Sequence, residues 1–209
     1  MKVECVVVGK LQTNCYIVYD EKTMKGVVID PGMEADKIIS AIDRCKVDVK
    51  YILLTHGHFD HFLAANDVRE HTGALVVIHE KDANKLQNPR LSMERLIRCD
   101  DVLTADITVS DGDEFTVSDI VFKFKLSPGH TNGSTVIFCG DSIFTGDTLF
   151  CGECGRCDFP TSSFEEMLSS LRYLYNLEGD YKIYPGHLEF TTLEQERRNN
   201  IYMHEAINR

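Results

Sequence analysis

Long apolar runs are missing from this chain of 209 residues. Its apolar runs, such as Cys5–Val8 and Tyr51–Leu54, fall far short of the ~20 residues a helix needs to cross a bilayer, so no membrane span is expected. The N-terminus, Met1-Lys2-Val3-Glu4, lacks the charged region, apolar stretch and small-residue cleavage site of a secretory signal. A cytoplasmic location follows as the expectation. Clustered cations are scarce as well: Arg197-Arg198 is the only adjacent basic pair, and the net charge is −11. Phosphate backbones are bound by concentrated Lys and Arg, so nucleic acid is not an expected partner. No Pro- or Ser-rich linker, low-complexity tract or repeat divides the sequence, and its length suits one domain spanning 1–209. Gly-x-Ser-x-Gly is also absent, which removes the serine-hydrolase elbow.

Cysteine, by contrast, is present eight times. A chain of this length without a secretory signal does not read as a disulfide scaffold, and the thiols are expected to be reduced. Cys5, Cys15, Cys45, Cys99 and Cys139 read as small buried hydrophobes. Cys151, Cys154 and Cys157 stand apart at three-residue spacing. With no fourth partner at a convincing distance, they read as thiols near a cleft that are sensitive to oxidation.

The apolar pattern opens with short strands at Val3–Gly9, Asn14–Tyr19 and Gly26–Asp30. A helix follows over Ala35–Cys45, where Ile38, Ile39 and Ile42 share a face. Val49–Thr55 is predicted as a strand, His61–His71 as a helix and Leu75–His79 as a strand; Glu80 to Asp106 is poorly periodic and fits short helices or a loop. Strands are predicted again at Phe115–Val117, Ile120–Leu126, Thr135–Cys139, Ser142–Thr145 and Tyr181–Tyr184. Phe164–Leu177 is an amphipathic helix capped by Ser162 or Ser163, and Leu193–Ala206 a polar terminal helix. Two sets of strands with helices outside them imply a layered α/β arrangement.

The chemistry concentrates in Thr55-His56-Gly57-His58-Phe59-Asp60-His61, directly after the apolar strand segment Tyr51–Leu54. Three imidazoles and a carboxylate in so short a stretch are the borderline donors that Zn²⁺ and similar ions prefer. The same arrangement, a metal-capable side chain just past a strand and beside a glycine, returns at His130, Asp147 and His187. His71, His79 and His204 match no such pattern and read as surface or supporting residues.

These segments, together with Val28-Ile29-Asp30-Pro31-Gly32 and with Thr191 and Thr192 after His187, resemble the metallo-β-lactamase superfamily, and within it the glyoxalase-II-like hydrolases. The resemblance runs through nearly the whole chain in the family's order. It implies a four-layer αβ/βα sandwich of the α/β class with a metal site along one edge. It also implies two divalent metal ions as cofactors, with zinc favoured over iron or manganese. His56, His58 and His130 would hold the first ion, and Asp60, His61 and His187 the second. Asp147 would bridge the two, and Asp30 would support the ligands from behind. A water shared by two such ions can lose a proton near pH ~7, and the resulting hydroxide would attack an acyl carbon while Asp60, the expected catalytic residue, orients it.

The carboxylate at position 147 sets the chain apart from the family's true β-lactamases, and His58 from its flavin-linked diiron members. A thioesterase of the hydroxyacylglutathione hydrolase type is therefore expected, acting on a small-molecule thioester or acyl compound. Arg156 matches a point where such relatives contact a substrate carboxylate, although an ordinary salt bridge explains it equally well. The short stretch after His187 is enough for one helix only, which does not match the helical region with which glyoxalase II enzymes bind glutathione. A persulfide dioxygenase-like enzyme using a single iron is the alternative on the same fold, since Gly155-Arg156 and Asp158-Phe159 resemble that branch too.

Overall fold

Side-chain alternation along the strands decides the architecture. Strands β1 (Lys2–Val8), β2 (Thr13–Tyr19), β3 (Lys25–Ile29), β4 (Asp48–Leu53), β5 (Leu75–His79) and β6 (Ile107–Val109) form one sheet in that order. The pairings are antiparallel from β1 to β3 and parallel from β3 to β6. Strands β7 (Glu114–Val117), β8 (Ile120–Leu126), β9 (Thr135–Cys139), β10 (Ser142–Gly146), β11 (Lys182–Pro185) and β12 (Thr191–Thr192) form a second sheet, also with neighbours in chain order. Only the β10–β11 pairing is parallel there. These elements are taken from a computed structural model, which describes residues 1–93 and 102–209. Cys99 and the 94–101 part of the aperiodic Glu80–Asp106 stretch lie outside the described residues.

One face of the first sheet, with Tyr16, Val18, Leu53 and Val77, packs on Phe122, Phe124, Ile137 and Phe144 of the second. Its opposite face, with Cys15, Ile17, Val28 and Ile52, buries Ile38 and Ile42 of α1 (Ala35–Cys45) and Val68 of α2 (Ala65–Thr72). Behind the second sheet, Val136, Ile143 and Ile183 pack on Met167 and Leu171 of α3 (Phe164–Tyr175), with Leu193 of α4 (Leu193–Asn199) and Met203 of α5 (Ile201–Asn208). Three apolar interfaces between four layers make the αβ/βα sandwich that the resemblance implies. Among the described residues no helix is long and apolar enough to cross a membrane.

Most predicted strands agree to within a residue or two, and Ser163 caps α3 by accepting from the Glu166 amide. Two helices differ. The one expected over His61–His71 begins only at Ala65, because Phe59–His61 forms a single 3-10 turn that ends at Phe62, whose φ of −137° leaves helical geometry. The predicted terminal helix Leu193–Ala206 is two helices broken at Asn200, whose backbone is extended. The Asn200 side chain accepts from the amides of Tyr202 and Met203, capping the new helix, while its Nδ2 donates to Glu153 O and Glu196 Oε2.

Candidate metal centre

β3 and β4 run parallel, as do β10 and β11, and β8 shares the direction of β10 because both are antiparallel to β9. Five strands therefore release their chain at one edge of the sandwich. There the Thr135 amide donates to Thr55 O at 2.9 Å and ties the two sheets together. Close approach at this edge requires glycine. A Cβ on Gly146, whose φ is +47°, would lie 2.4 Å from Thr55 Oγ1, and one on Gly186 would lie 2.4 Å from Asp147 Oδ1.

All seven side chains singled out in the sequence meet at this edge. Donor atoms lie within 4.8 Å of one another in three groups: His56, His58 and His130; His56, His61 and Asp147; and Asp60, His61 and His187. Asp147 stands between them, with Oδ1 3.3 Å from His61 Nε2, and Oδ2 3.4 Å from His130 Nε2 and 3.7 Å from His187 Nε2.

Hydrogen bonds from behind decide which ring nitrogen faces inward. His130 Nδ1 donates to Arg156 O at 2.8 Å and His187 Nδ1 to Leu11 O at 3.1 Å, which leaves each Nε2 toward the cleft. His61 Nδ1 is 2.9 Å from Asp30 Oδ2. The same carboxylate accepts from the amide and hydroxyl of Thr55, and Thr55 Oγ1 in turn lies 3.1 Å from His56 Nδ1. Asp30 thus supports the ligand set from behind, as orienting carboxylates do in metal sites. Thr13 Oγ1 donates to Asp60 Oδ2 at 3.1 Å.

Four of the inward atoms lack a hydrogen-bond partner. His56 Nε2, His58 Nε2, His61 Nε2 and Asp147 Oδ1 are buried without a hydrogen bond, and His58 Nδ1 sits 2.8 Å from His130 Nε2. Buried polar atoms are normally paired. A cluster of unpaired imidazole and carboxylate donors fits a divalent cation of the zinc type.

Electrostatics differ across the cluster. Burial pushes the His56 imidazole well below its ordinary value and His58 down to about 3. Burial acts in the same sense on His61 and His187, but carboxylates outweigh it: Asp60, Asp147 and Asp30 hold His61 well above the usual value, and Asp147 with Asp60 raises His187. Burial would raise Asp60 and Asp147. The facing histidines, His61 foremost, hold both carboxyls below the usual range instead.

These donors form the floor of a cleft of about 360 Å³ whose walls are largely apolar, with Leu11, Met93, Phe150 and Phe159 among the lining. Arg156 stands at its mouth. The guanidinium makes a two-point salt bridge to Asp158, at 2.9 and 2.7 Å, and lies 4.5 Å over the Phe159 ring. Cys154 also lines the cleft, and burial pushes its thiol up to about 12, so it stays protonated. Among the described residues no metal-capable group includes a cysteine. The remaining histidines lie outside the cluster: His71 meets Asp43, His204 meets Arg197 O, and His79 is buried at the end of β5 rather than at the surface. Sequence reasoning missed Asp82 and Lys85. Both are buried beneath the site, and Asp82 Oδ2 accepts from the Gly57 amide and the Thr131 hydroxyl.

The hydroxyacylglutathione hydrolase GloC of Haemophilus influenzae is 33% identical over 97% of this chain and 98% of its own length. The crystal structure of the BLEG-1 B3 metallo-beta-lactamase superposes with a TM-score of 0.90 at 28% identity, covering 97% of this chain and 99% of that one. ETHE1 from Myxococcus xanthus gives 0.82 at 29% identity, covering 100% and 91%. TTHA1623 in a di-iron-bound form gives 0.84 at 29% identity, covering 96% and 100%. The metallo-beta-lactamase superfamily model matches residues 8–187. That match takes in every one of the seven converging side chains, and the chain belongs to the metallo-beta-lactamase superfamily.

Proposed function

We propose that this chain is a dinuclear metal-dependent hydrolase that cleaves thioesters of small acyl groups, in the manner of glyoxalase II. The observation that carries the reading is Asp147, a buried carboxylate that reaches histidines of both donor groups. His56, His58 and His130 would hold one divalent ion, Asp60, His61 and His187 the other, and Asp147 both. When bound, such ions polarise an acyl carbonyl and bring the pKa of water down to ~7. Zinc suits the donor set, and the similarity to TTHA1623, solved in a di-iron-bound form, supports iron as the alternative.

Asp60 serves to orient the attacking water. It is buried and held ionised, and Thr13 fixes its Oδ2. The apolar walls, Phe150 beside His187 and Phe159 beside His58 and His130, exclude bulk water and receive the acyl group. Arg156 at the mouth contacts a substrate carboxylate, and Asp158 and the Phe159 ring keep its guanidinium in place. The relation to GloC over nearly the full length of both chains supports the thioester.

The similarity to ETHE1 favours a second reading, a mononuclear-iron persulfide dioxygenase-like oxidoreductase. One experiment separates the two. Metal content per chain is measured by element-resolved mass spectrometry on protein assayed for hydrolysis of lactoylglutathione and for oxygen uptake with glutathione persulfide. A β-lactam is included because BLEG-1, named a B3 metallo-beta-lactamase, shares the fold closely. Close to two ions with thioester cleavage, and an Arg156→Ala variant with raised KM, is the expected result. A single iron with oxygen uptake and no hydrolysis would overturn it, and so would cleavage of the β-lactam alone.

A further inference from the structure

Under the three-histidine group lies an ion pair sealed from solvent. Asp82 follows β5 at the start of a 3-10 turn over Ala83–Gln87, and Lys85 sits within that turn; the two side chains are 0% and 1% exposed. Lys85 Nζ is 3.0 Å from Asp82 Oδ1 and donates to Asn132 Oδ1 at 2.6 Å. Asp82 Oδ2 accepts from the Gly57 amide and from Thr131 Oγ1, both at 2.8 Å. Gly57 lies between His56 and His58, and Thr131 and Asn132 directly follow His130. One carboxylate and its ammonium therefore grip both loops that carry the three histidines.

The packing leaves little room for either loop to shift. A Cβ on Gly57 would lie 2.7 Å from Lys85 Cβ, and one on Gly133 would lie 2.4 Å from Asp82 Oδ1. Lysine is almost never buried unless paired, and burying a charged pair is weak evidence of a gain in stability. What this pair does supply is geometry: a fixed separation between the His56–His58 loop and the His130 loop, which belong to different sheets.

We infer that Asp82 and Lys85 are positioning residues that set the spacing of His56, His58 and His130, and so the affinity of that position for its divalent ion. The inference rests on the reading of these histidines as ligands given above. Neither residue reaches the reacting atoms. Their influence passes through the Gly57 amide and the Thr131–Asn132 segment.

The test is a Zn²⁺ titration against a chromophoric chelator for the wild-type chain and Lys85→Met. It is repeated in a His187→Ala background, where tight binding reports the three-histidine position. Loss of support behind metal ligands typically costs ten- to hundredfold in affinity, and that weakening is expected here at the three-histidine position alone. Equal weakening of both positions, or none, would overturn the inference. If Lys85→Met does not fold, Asp82→Asn with Lys85→Met removes both charges and is read by the same criterion. Amide exchange at Gly57 in metal-free protein gives a readout without any ion, and faster exchange in the variant is expected. Unchanged exchange would overturn the clamp, whereas a wild-type chain that binds no ion would overturn only the metal reading.

Discussion

Histidines on the two sides of the cleft sit in opposed electrostatic environments. Around His56 and His58 burial dominates, and the imidazoles stay neutral. Around His61 and His187 the carboxylates outweigh burial, and the imidazoles hold a proton more tightly than usual. Neutral imidazole is ready to accept a cation as it stands, whereas a raised pKa on the carboxylate-rich side makes a cation compete harder with protons. The two donor groups thus differ in kind: burial keeps the imidazoles of the first neutral, whereas neighbouring anions favour the protons of the second.

Asp147→Ala should break the comparison most completely, since its carboxylate touches both sides. Metal binding is expected to fail at both positions and kcat/KM for a thioester to fall on the order of 10³-fold or more, the several kcal/mol that metal catalysis supplies. Full retention of one ion in the variant would show that Asp147 belongs to one side only.

Removing metal should expose the contrast as a pH profile. His61 and His187 are held above the ordinary imidazole value, so their contribution is whole below about pH 6.5 and is lost as pH rises through the raised values. His56 and His58 are held below it. As pH falls under about 6.5 the unfolded chain takes up protons that the folded chain refuses, and stability drops again. Thermal unfolding of the metal-free protein is expected to peak near pH ~6.5 and decline on either side. A profile that only rises across that range would refute the opposed environments.

Thr13→Val should sharpen the comparison with the smallest effect. It removes one hydrogen bond to Asp60 and nothing on the other side. A bond to a charged group contributes about 1.5 kcal/mol, so roughly tenfold weaker binding is expected at the carboxylate-rich position, measured in the same chelator titration.

The seven donors could be read from the sequence because each announces itself locally, after an apolar strand and beside a turn. The clamp beneath them could not. Asp82 lies 25 residues from the amide it holds, and a lysine in a polar stretch gives no sign that it will be buried. The break at Asn200 was hidden for another reason. No Pro or Gly interrupts Leu193–Ala206, and only the contacts of Asn200 with Glu153 and Glu196 reveal why the helix stops there. The early start assigned to α2 came from treating His61 as helical, when the chain is still turning Asp60 and His61 into the cleft. β12, two residues long, is too short to show alternation. Arg156 makes the ordinary salt bridge that one sequence reading gave, to Asp158, and it also lines the cleft.

Every one of the three donor groups draws on both sheets. His56, His58, Asp60 and His61 precede α2, whereas His130, Asp147 and His187 come from the other half of the chain. None of these groups is complete until the halves have docked face to face, so an ion bound there would mark a finished molecule. An ion held there would work as a rivet across the seam, adding free energy to the docked state only.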